Sequence, residues 1–262
     1  MKNILIHCAM EKEGEQIAKF LELSKVQKYD TNLKNNSIKE SKEKFNKTDI
    51  NNFIEVYSNK VNNFLDVYPN GKNSNLENVE NNIYTENKTT MSLLITGIGK
   101  QKTAIGLTKY LCENDKPDLI INIGYAGSTN AKIGSWVSIN KSYNLEWDIT
   151  GEQKYSMDDL GGQDLVTIDE LEKLPCYSAE CFVNNTDIKD NVIFDMELHS
   201  VSLLADLYNI PLISLKKVSD NLSMDDYYKT VEDNRLMELE SSIKYIEKFL
   251  KEKLQNVYCS LN

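Results

Sequence analysis

Residues 118–127 read Asp118-Leu-Ile-Ile-Asn-Ile-Gly-Tyr-Ala-Gly127, an apolar run without alternation that closes on glycines. A strand with one wet face alternates polar and apolar positions, whereas a strand covered on both faces reads as a continuous apolar stretch. The run therefore predicts a buried parallel strand over Asp118 to Ile123, ended by Gly124-Tyr-Ala-Gly127. Reading outward, Ser92 to Thr96 has the same character. It is followed by a tight Gly97-Ile-Gly99 turn and an amphipathic helix from Lys102 to Cys112. The N-terminus starts likewise, with a strand over Ile4 to Cys8 and a helix over Glu11 to Phe20, where Ile17, Phe20 and Leu21 fall at helical spacing. Downstream, strands are expected at Trp136 to Ile139, Cys176 to Val183 and Pro211 to Leu215, and a helix at Asp195 to Leu207. Met224 to Leu254 gives one long or two short helices, with Leu236, Leu239, Ile243, Ile246, Phe249 and Leu250 on an apolar stripe. Strands alternating with helices predict an α/β fold with three layers, α/β/α, and a mixed central sheet. Ligands of such sheets bind beyond the carboxyl ends of the strands.

The 262 residues suit one domain spanning residues 1–262. Between about 29 and 90 the composition changes to Asn and Lys. This segment reads as a partly mobile insertion, with short islands at Phe53 to Tyr57 and Phe64 to Tyr68 that alternate like exposed or edge strands. A formal net charge of -10 argues against a nucleic-acid partner, which needs clustered basic residues, but permits a neutral small molecule. No stretch approaches the roughly 20 apolar residues of a membrane span. Five scattered cysteines without a C-x-x-C pair argue against a disulfide framework and a zinc site. A reduced, cytoplasmic protein with no metal or cofactor is expected.

The chemistry should sit in the strand-end motifs. Ala9-Met-Glu-Lys-Glu13 follows the first strand; its acids either serve the chemistry or merely favour a helix N-terminus. Thr96-Gly-Ile-Gly-Lys100 lacks the spacing of a phosphate-binding loop. In Phe194-Asp-Met-Glu197, a buried carboxylate suits the two donor hydroxyls of a ribose, or caps a helix. Asp220 in Val218-Ser-Asp220 can serve as a general acid when burial raises its pKa, or simply as a turn residue. Phe182 can stack on a flat base or fill the core. His7, within a strand, reads as a satisfied core residue.

The order of these pieces resembles the purine nucleoside phosphorylase and nucleosidase superfamily, most closely the methylthioadenosine/S-adenosylhomocysteine nucleosidases. The resemblance covers roughly residues 1–28 and 91–262. It implies a nucleoside phosphorylase-like fold and hydrolysis of the N-glycosidic bond of an adenine nucleoside such as methylthioadenosine or S-adenosylhomocysteine. By the same resemblance Glu13 activates the attacking water and Asp220 protonates the departing purine. Glu197 binds the ribose hydroxyls with Met196 against the sugar, and Phe182 stacks on the base whose edge the Val183 backbone reads. Thr96 supplies a hydroxyl near the ribose and Ser219 orients Asp220. A homodimer is implied as well.

Related phosphorylases hold phosphate with arginines, whose forked donors match its oxygens. Here Arg235 is the only arginine, in the expected C-terminal helix, which favours water as nucleophile. Phosphorolysis with Lys100 or Lys216 in the arginines' place is the alternative, and a non-catalytic nucleoside-binding or storage protein is another. A conservative trim inside the Asn-rich segment is expected to leave the core folded, with the yield of soluble protein as the check.

Overall fold

A computed structural model describes residues 3–21, 24–28, 55–61, 89–146, 164–232 and 239–250. In chain order they form β1 (Asn3–Cys8), α1 (Glu11–Phe20), β2 (Ser24–Lys28), β3 (Glu55–Val61), β4 (Thr89–Ile95), α2 (Lys100–Glu113) and β5 (Leu119–Ser128). There follow β6 (Trp136–Asn144), β7 (Glu172–Ser178), β8 (Ile193–Asp195), α3 (Leu198–Leu207), β9 (Leu212–Asp220) and a short α4 (Met224–Tyr227). The sheet runs β2-β3-β4-β1-β5-β8-β7-β6-β9, and β9 pairs back onto β5, so the last five strands close into a ring. Parallel pairs (β1 with β4 and β5, β5 with β9) mix with antiparallel ones (β3 with β4, β6 with β9).

Strand side chains alternate between faces, and β1 shows the consequence. Ile4, Ile6 and Cys8 join a core with Ile17 of α1 and Ile243 and Ile246 of helical residues 243–250. Leu5 joins the opposite core, with Leu107 and Leu111 of α2 and Leu198 and Val201 of α3. Helices thus cover both faces, as the continuous apolar strands require, and each fully buried Leu or Ile contributes roughly 1.5–3 kcal/mol. Among the described residues no helix is long and apolar enough to cross a membrane.

A polar row crosses the second core. Asn122 Nδ2 donates to His7 Nδ1 at 2.9 Å, and the Ser214 hydroxyl donates to Asn122 Oδ1 at 2.9 Å. His7 Nε2 lies 2.8 Å from Thr96 Oγ1, and Thr96 Oγ1 lies 3.2 Å from Thr103 Oγ1. Asn122 occupies the donor side of Nδ1, so the imidazole proton sits on Nε2 and points to Thr96. His7 is the satisfied core residue expected from its strand.

Several element boundaries differ from the sequence reading. β5 continues through Gly124–Gly127 rather than ending there, because its far end pairs with β8 at Gly127 and Ser128. Asp195 closes β8, and the helix begins at Leu198. β7 ends at Ser178, leaving Phe182 and Val183 beyond it, while β9 runs on to Asp220. The island expected as an edge strand starts at Glu55 as β3 and lies one strand inside the edge, covered by β2. A trim of the Asn-rich segment must therefore spare β3 and Thr89. The second island, Phe64 to Tyr68, lies outside the described residues, as does Arg235. In place of one or two regular C-terminal helices, α4 passes into a π-helical turn at Tyr228–Glu232, and a 3-10 turn at Leu239–Ser242 precedes residues 243–250.

Burial first, then the Lys216 charge, pushes the His7 pKa from 6.5 down to about 3. The unfolded chain binds a proton there that the folded protein refuses. Stability is complete above pH 6.5 and drains away as pH falls towards 3, by about 2 kcal/mol at pH 5 from this residue. His7→Gln is expected to reduce the loss of denaturation midpoint between pH 7 and pH 5, measured in urea.

Candidate active site

The carboxyl ends of β1, β5, β8 and β9 surround a cavity of about 340 Å³. Its size lies in the range that holds a drug-sized small molecule. Glu13, Phe182, Val183, Met196, Glu197, Ser219 and Asp220 all line it, so seven of the eight residues singled out in the sequence share one space. The eighth, Thr96, is fully buried behind the wall, where its hydroxyl is engaged by His7 and Thr103. The ribose contact expected of Thr96 is not supported by this placement, because the polar row in the core claims the side chain.

Glu13 stands in the first turn of α1, with 3% of its surface exposed. The Met10 N–H donates to its Oε2 and the Tyr125 N–H to its Oε1, each at 3.0 Å. The residue thus caps its own helix and also lines the cavity. Burial raises its pKa, and the two backbone donors and the Lys216 charge oppose the shift. β5 passes close beneath: a Cβ on Gly124 would lie 3.2 Å from Glu13 Oε1.

Asp220 ends β9 and is 1% exposed. Leu222, held at φ 60, turns its N–H onto Asp220 Oδ1 at 3.0 Å, and the Ser219 hydroxyl lies 2.7 Å from Oδ2. A non-glycine residue in left-handed backbone is held there only where its surroundings over-determine the turn. Ser219 Oγ also lies 3.1 Å from the Ala126 carbonyl oxygen. A hydroxyl has one proton, so a protonated Asp220 can donate to Ser219 while Ser219 donates to Ala126. Burial raises the Asp220 pKa against the Ser219 and backbone donors, which favours this protonated form. A Cβ on Gly127 would lie 2.9 Å from Asp220 Oδ1, so glycine is required for this approach.

Glu197 is the N-cap of α3 and accepts the Gly99 N–H at Oε1, 2.8 Å. Burial, then the neighbouring Asp195 charge, raises its pKa to about 8, opposed by Lys216 and the Gly99 N–H. Asp195 itself is wholly enclosed. Its Oδ2 forms an ion pair with Lys216 Nζ at 2.7 Å and accepts the Leu198 N–H at 3.0 Å. Its Oδ1 accepts the Ser178 hydroxyl at 2.5 Å. Burial penalises the charged Asp195, but Lys216 outweighs that and holds its pKa below the ordinary value.

The remaining wall is aromatic and thioether. Phe182 meets Tyr227 edge-on at 6.1 Å between ring centroids, Tyr227 meets Tyr228 at 5.7 Å, and the Tyr227 hydroxyl donates to Met10 Sδ at 3.7 Å. Of these, Phe182 was expected from the sequence, whereas Met10, Tyr227 and Tyr228 were not assigned to the site. Tyr227 and Tyr228 occupy an irregular α-to-π helical turn that no periodicity announces. Asp195 was also missed as a site residue, although it stands two positions from Glu197.

Comparison with known proteins agrees with this geometry. The chain superposes on the Streptococcus pyogenes S-adenosylhomocysteine nucleosidase in complex with 5-methylthiotubericidin. The TM-score is 0.63 and identity 18%, covering 96% of this chain and 97% of that one. It superposes on the apo Arabidopsis thaliana 5'-methylthioadenosine nucleosidase with TM-score 0.60 and 15% identity, covering 98% and 96%. Fold and cavity thus define an α/β protein of the nucleoside phosphorylase type. In sequence it is 28% identical over 174 residues to the 5'-methylthioadenosine/S-adenosylhomocysteine nucleosidase of Glaesserella parasuis, covering 54% of this chain and 75% of that protein. Residues 54–251 match the family model described as Phosphorylase superfamily, and the chain belongs to that superfamily. The match begins inside the Asn-rich segment, so part of what reads as an insertion belongs to the family's own pattern.

Glu197 binds protons more readily folded than unfolded, so it weakens the fold increasingly as pH rises from its ordinary 4.5 through about 8. Glu197→Gln is expected to match the parent in thermal stability near pH 4.5 and to exceed it at pH 8; differential scanning calorimetry at the two pH values checks this.

Proposed function

We propose that the protein hydrolyses the N-glycosidic bond of a purine nucleoside, with an adenine nucleoside such as methylthioadenosine or S-adenosylhomocysteine as substrate. The observation that carries this reading is the convergence of Glu13, Glu197 and Asp220 on one cavity. Cleaving a C–N glycosidic bond builds positive charge on the ribose and negative charge on the base. Glu197 accepts the ribose hydroxyls, and its ionised form, which gains population as pH rises towards its pKa of about 8, stabilises the developing cation more strongly in the transition state than in the ground state. Asp220, whose pKa burial raises, acts in its protonated form and gives its proton to the imidazole-ring nitrogen of the purine as the bond electrons leave with the base. Glu13, whose pKa burial raises, takes a proton from the water that attacks the anomeric carbon. Phe182 stacks on the base, Met196 packs against the sugar, the Val183 backbone reads the base edge and Ser219 orients Asp220.

Water rather than phosphate is the nucleophile in this reading. The two lysines that would stand in for phosphate-binding arginines are occupied: Lys216 is paired with Asp195, and Lys100 with Glu146 and Asn144. We also assign a homodimer, in keeping with three cavity-lining side chains, Ile98, Met224 and Tyr228, that are 40–48% exposed in the isolated chain. The free thiols of Cys8, Cys112, Cys176 and Cys181 are in keeping with a cytoplasmic setting.

Incubation with methylthioadenosine, adenosylhomocysteine, adenosine and inosine, with and without phosphate, tests the reading. Free base released without phosphate is expected. Sugar phosphate formed only with phosphate would make the protein a phosphorylase, and binding without turnover would make it a binding protein. Asp220→Asn is expected to fold normally and to lose about 10²–10⁴ in rate, because an amide cannot supply the proton. A near-parental rate would remove Asp220 from the mechanism.

A further inference from the structure

The proposed reaction makes no use of the most deeply buried charges beside the cavity, Lys216 and Asp195. A buried ion pair is rarely a net source of stability, since desolvation consumes much of the attraction. Its placement here points to another role. Glu13, Asp195, Glu197 and Asp220 line the cavity, and among the described residues no lysine or arginine does. Asp195 is part of the wall; Lys216 stands behind it, 2% exposed. Lys216 occupies the β9 position paired with Gly124, the residue on which Glu13 closes. An ammonium at this depth, freed of its partner, would be the cationic handle that an anionic nucleophile needs beside Glu13.

We infer that Asp195 determines nucleophile choice: by holding the Lys216 ammonium in an ion pair, it denies the cavity an anion site and leaves neutral water as the reactant. The second basic candidate follows the same pattern, because Lys100 Nζ is held by Glu146 and by Asn144 Oδ1 at 2.7 Å. Asp195 is a positioning residue in this role and acts through Lys216. The pair is anchored from several directions: the Ser178 hydroxyl and the Leu198 N–H fix both Asp195 oxygens, so the carboxylate cannot swing away to admit phosphate.

The inference rests on the nucleosidase reading, yet its test needs no turnover. Thermal melting of the full chain is followed while sodium phosphate is titrated against chloride of equal ionic strength. A ligand that binds only the folded state raises its melting temperature. The parent is expected to show no phosphate-specific rise. Asp195→Asn retains an acceptor for the Leu198 N–H but removes the partner of the Lys216 ion pair. It is expected to show a saturable rise on the order of 3 °C at phosphate ten times above its dissociation constant. Asp195→Ser, which also keeps an acceptor, serves as a second variant where the amide disturbs the fold. The double variant Asp195→Asn, Lys216→Met removes the cation and is expected to lose the response. A parent that responds as strongly as Asp195→Asn, single variants that do not respond, or a double variant that still responds would each overturn the inference. Absence of base release from nucleosides would instead refute the nucleosidase reading and leave the phosphate result standing.

Discussion

Three carboxylates, Glu13, Glu197 and Asp220, are held out of water around one cavity, and the free energy needed to keep them there constrains the surrounding structure. An isolated buried carboxylate is so unfavourable that it takes up a proton or finds donors. Backbone N–H groups answer for all three: Met10 and Tyr125 for Glu13, Gly99 for Glu197, Leu222 for Asp220. Met10 and Gly99 start helices, Leu222 lies in the turn after β9, and Tyr125 lies in the far half of β5, so the donors gather at the carboxyl edge of the sheet. The helix starts supply unsatisfied donors, and the glycines of β5 supply the room.

The same constraint divides the acids by task. Asp195 sits beside Lys216 and stays ionised, whereas Glu197, near that ionised neighbour and without a cation of its own, is driven towards the protonated form. Burial raises the Asp220 pKa against the Ser219 hydroxyl and nearby backbone donors. Similar side chains separated by a few residues thus acquire different charges from their surroundings.

Much of this was legible in the sequence, for physical reasons. Continuous apolar runs at Ile4 to Cys8 and Asp118 to Ile123 specify strands covered on both faces, and both are found in the centre of the sheet. The N-terminal helix was readable to the residue because its acidic first turn and apolar spacing agree. Glu13, Glu197 and Asp220 were singled out by their places after strands together with the resemblance to the nucleosidases. Other features were hidden. Gly124 to Gly127 reads as a terminator, but pairing with β8 and β9 keeps it in the sheet, an instance of tertiary contacts overriding local propensity. Thr96 has the residue type of a ligand contact and is claimed instead by a histidine 89 positions away. Lys216 gave no local sign that its partner would be Asp195, since an ion pair between strands leaves no periodic trace.

The most direct test of the convergence of these acids on one sugar and one base is an experimental structure with adenine and the ribose product bound. The carboxyl oxygens of Asp220 are then expected within hydrogen-bonding reach, about 2.7–3.0 Å, of the imidazole-ring nitrogen of the base, with Glu197 on the ribose hydroxyls. Adenine bound with no contact to Asp220, or a sugar lying away from Glu197, would contradict the mechanism built on this cavity.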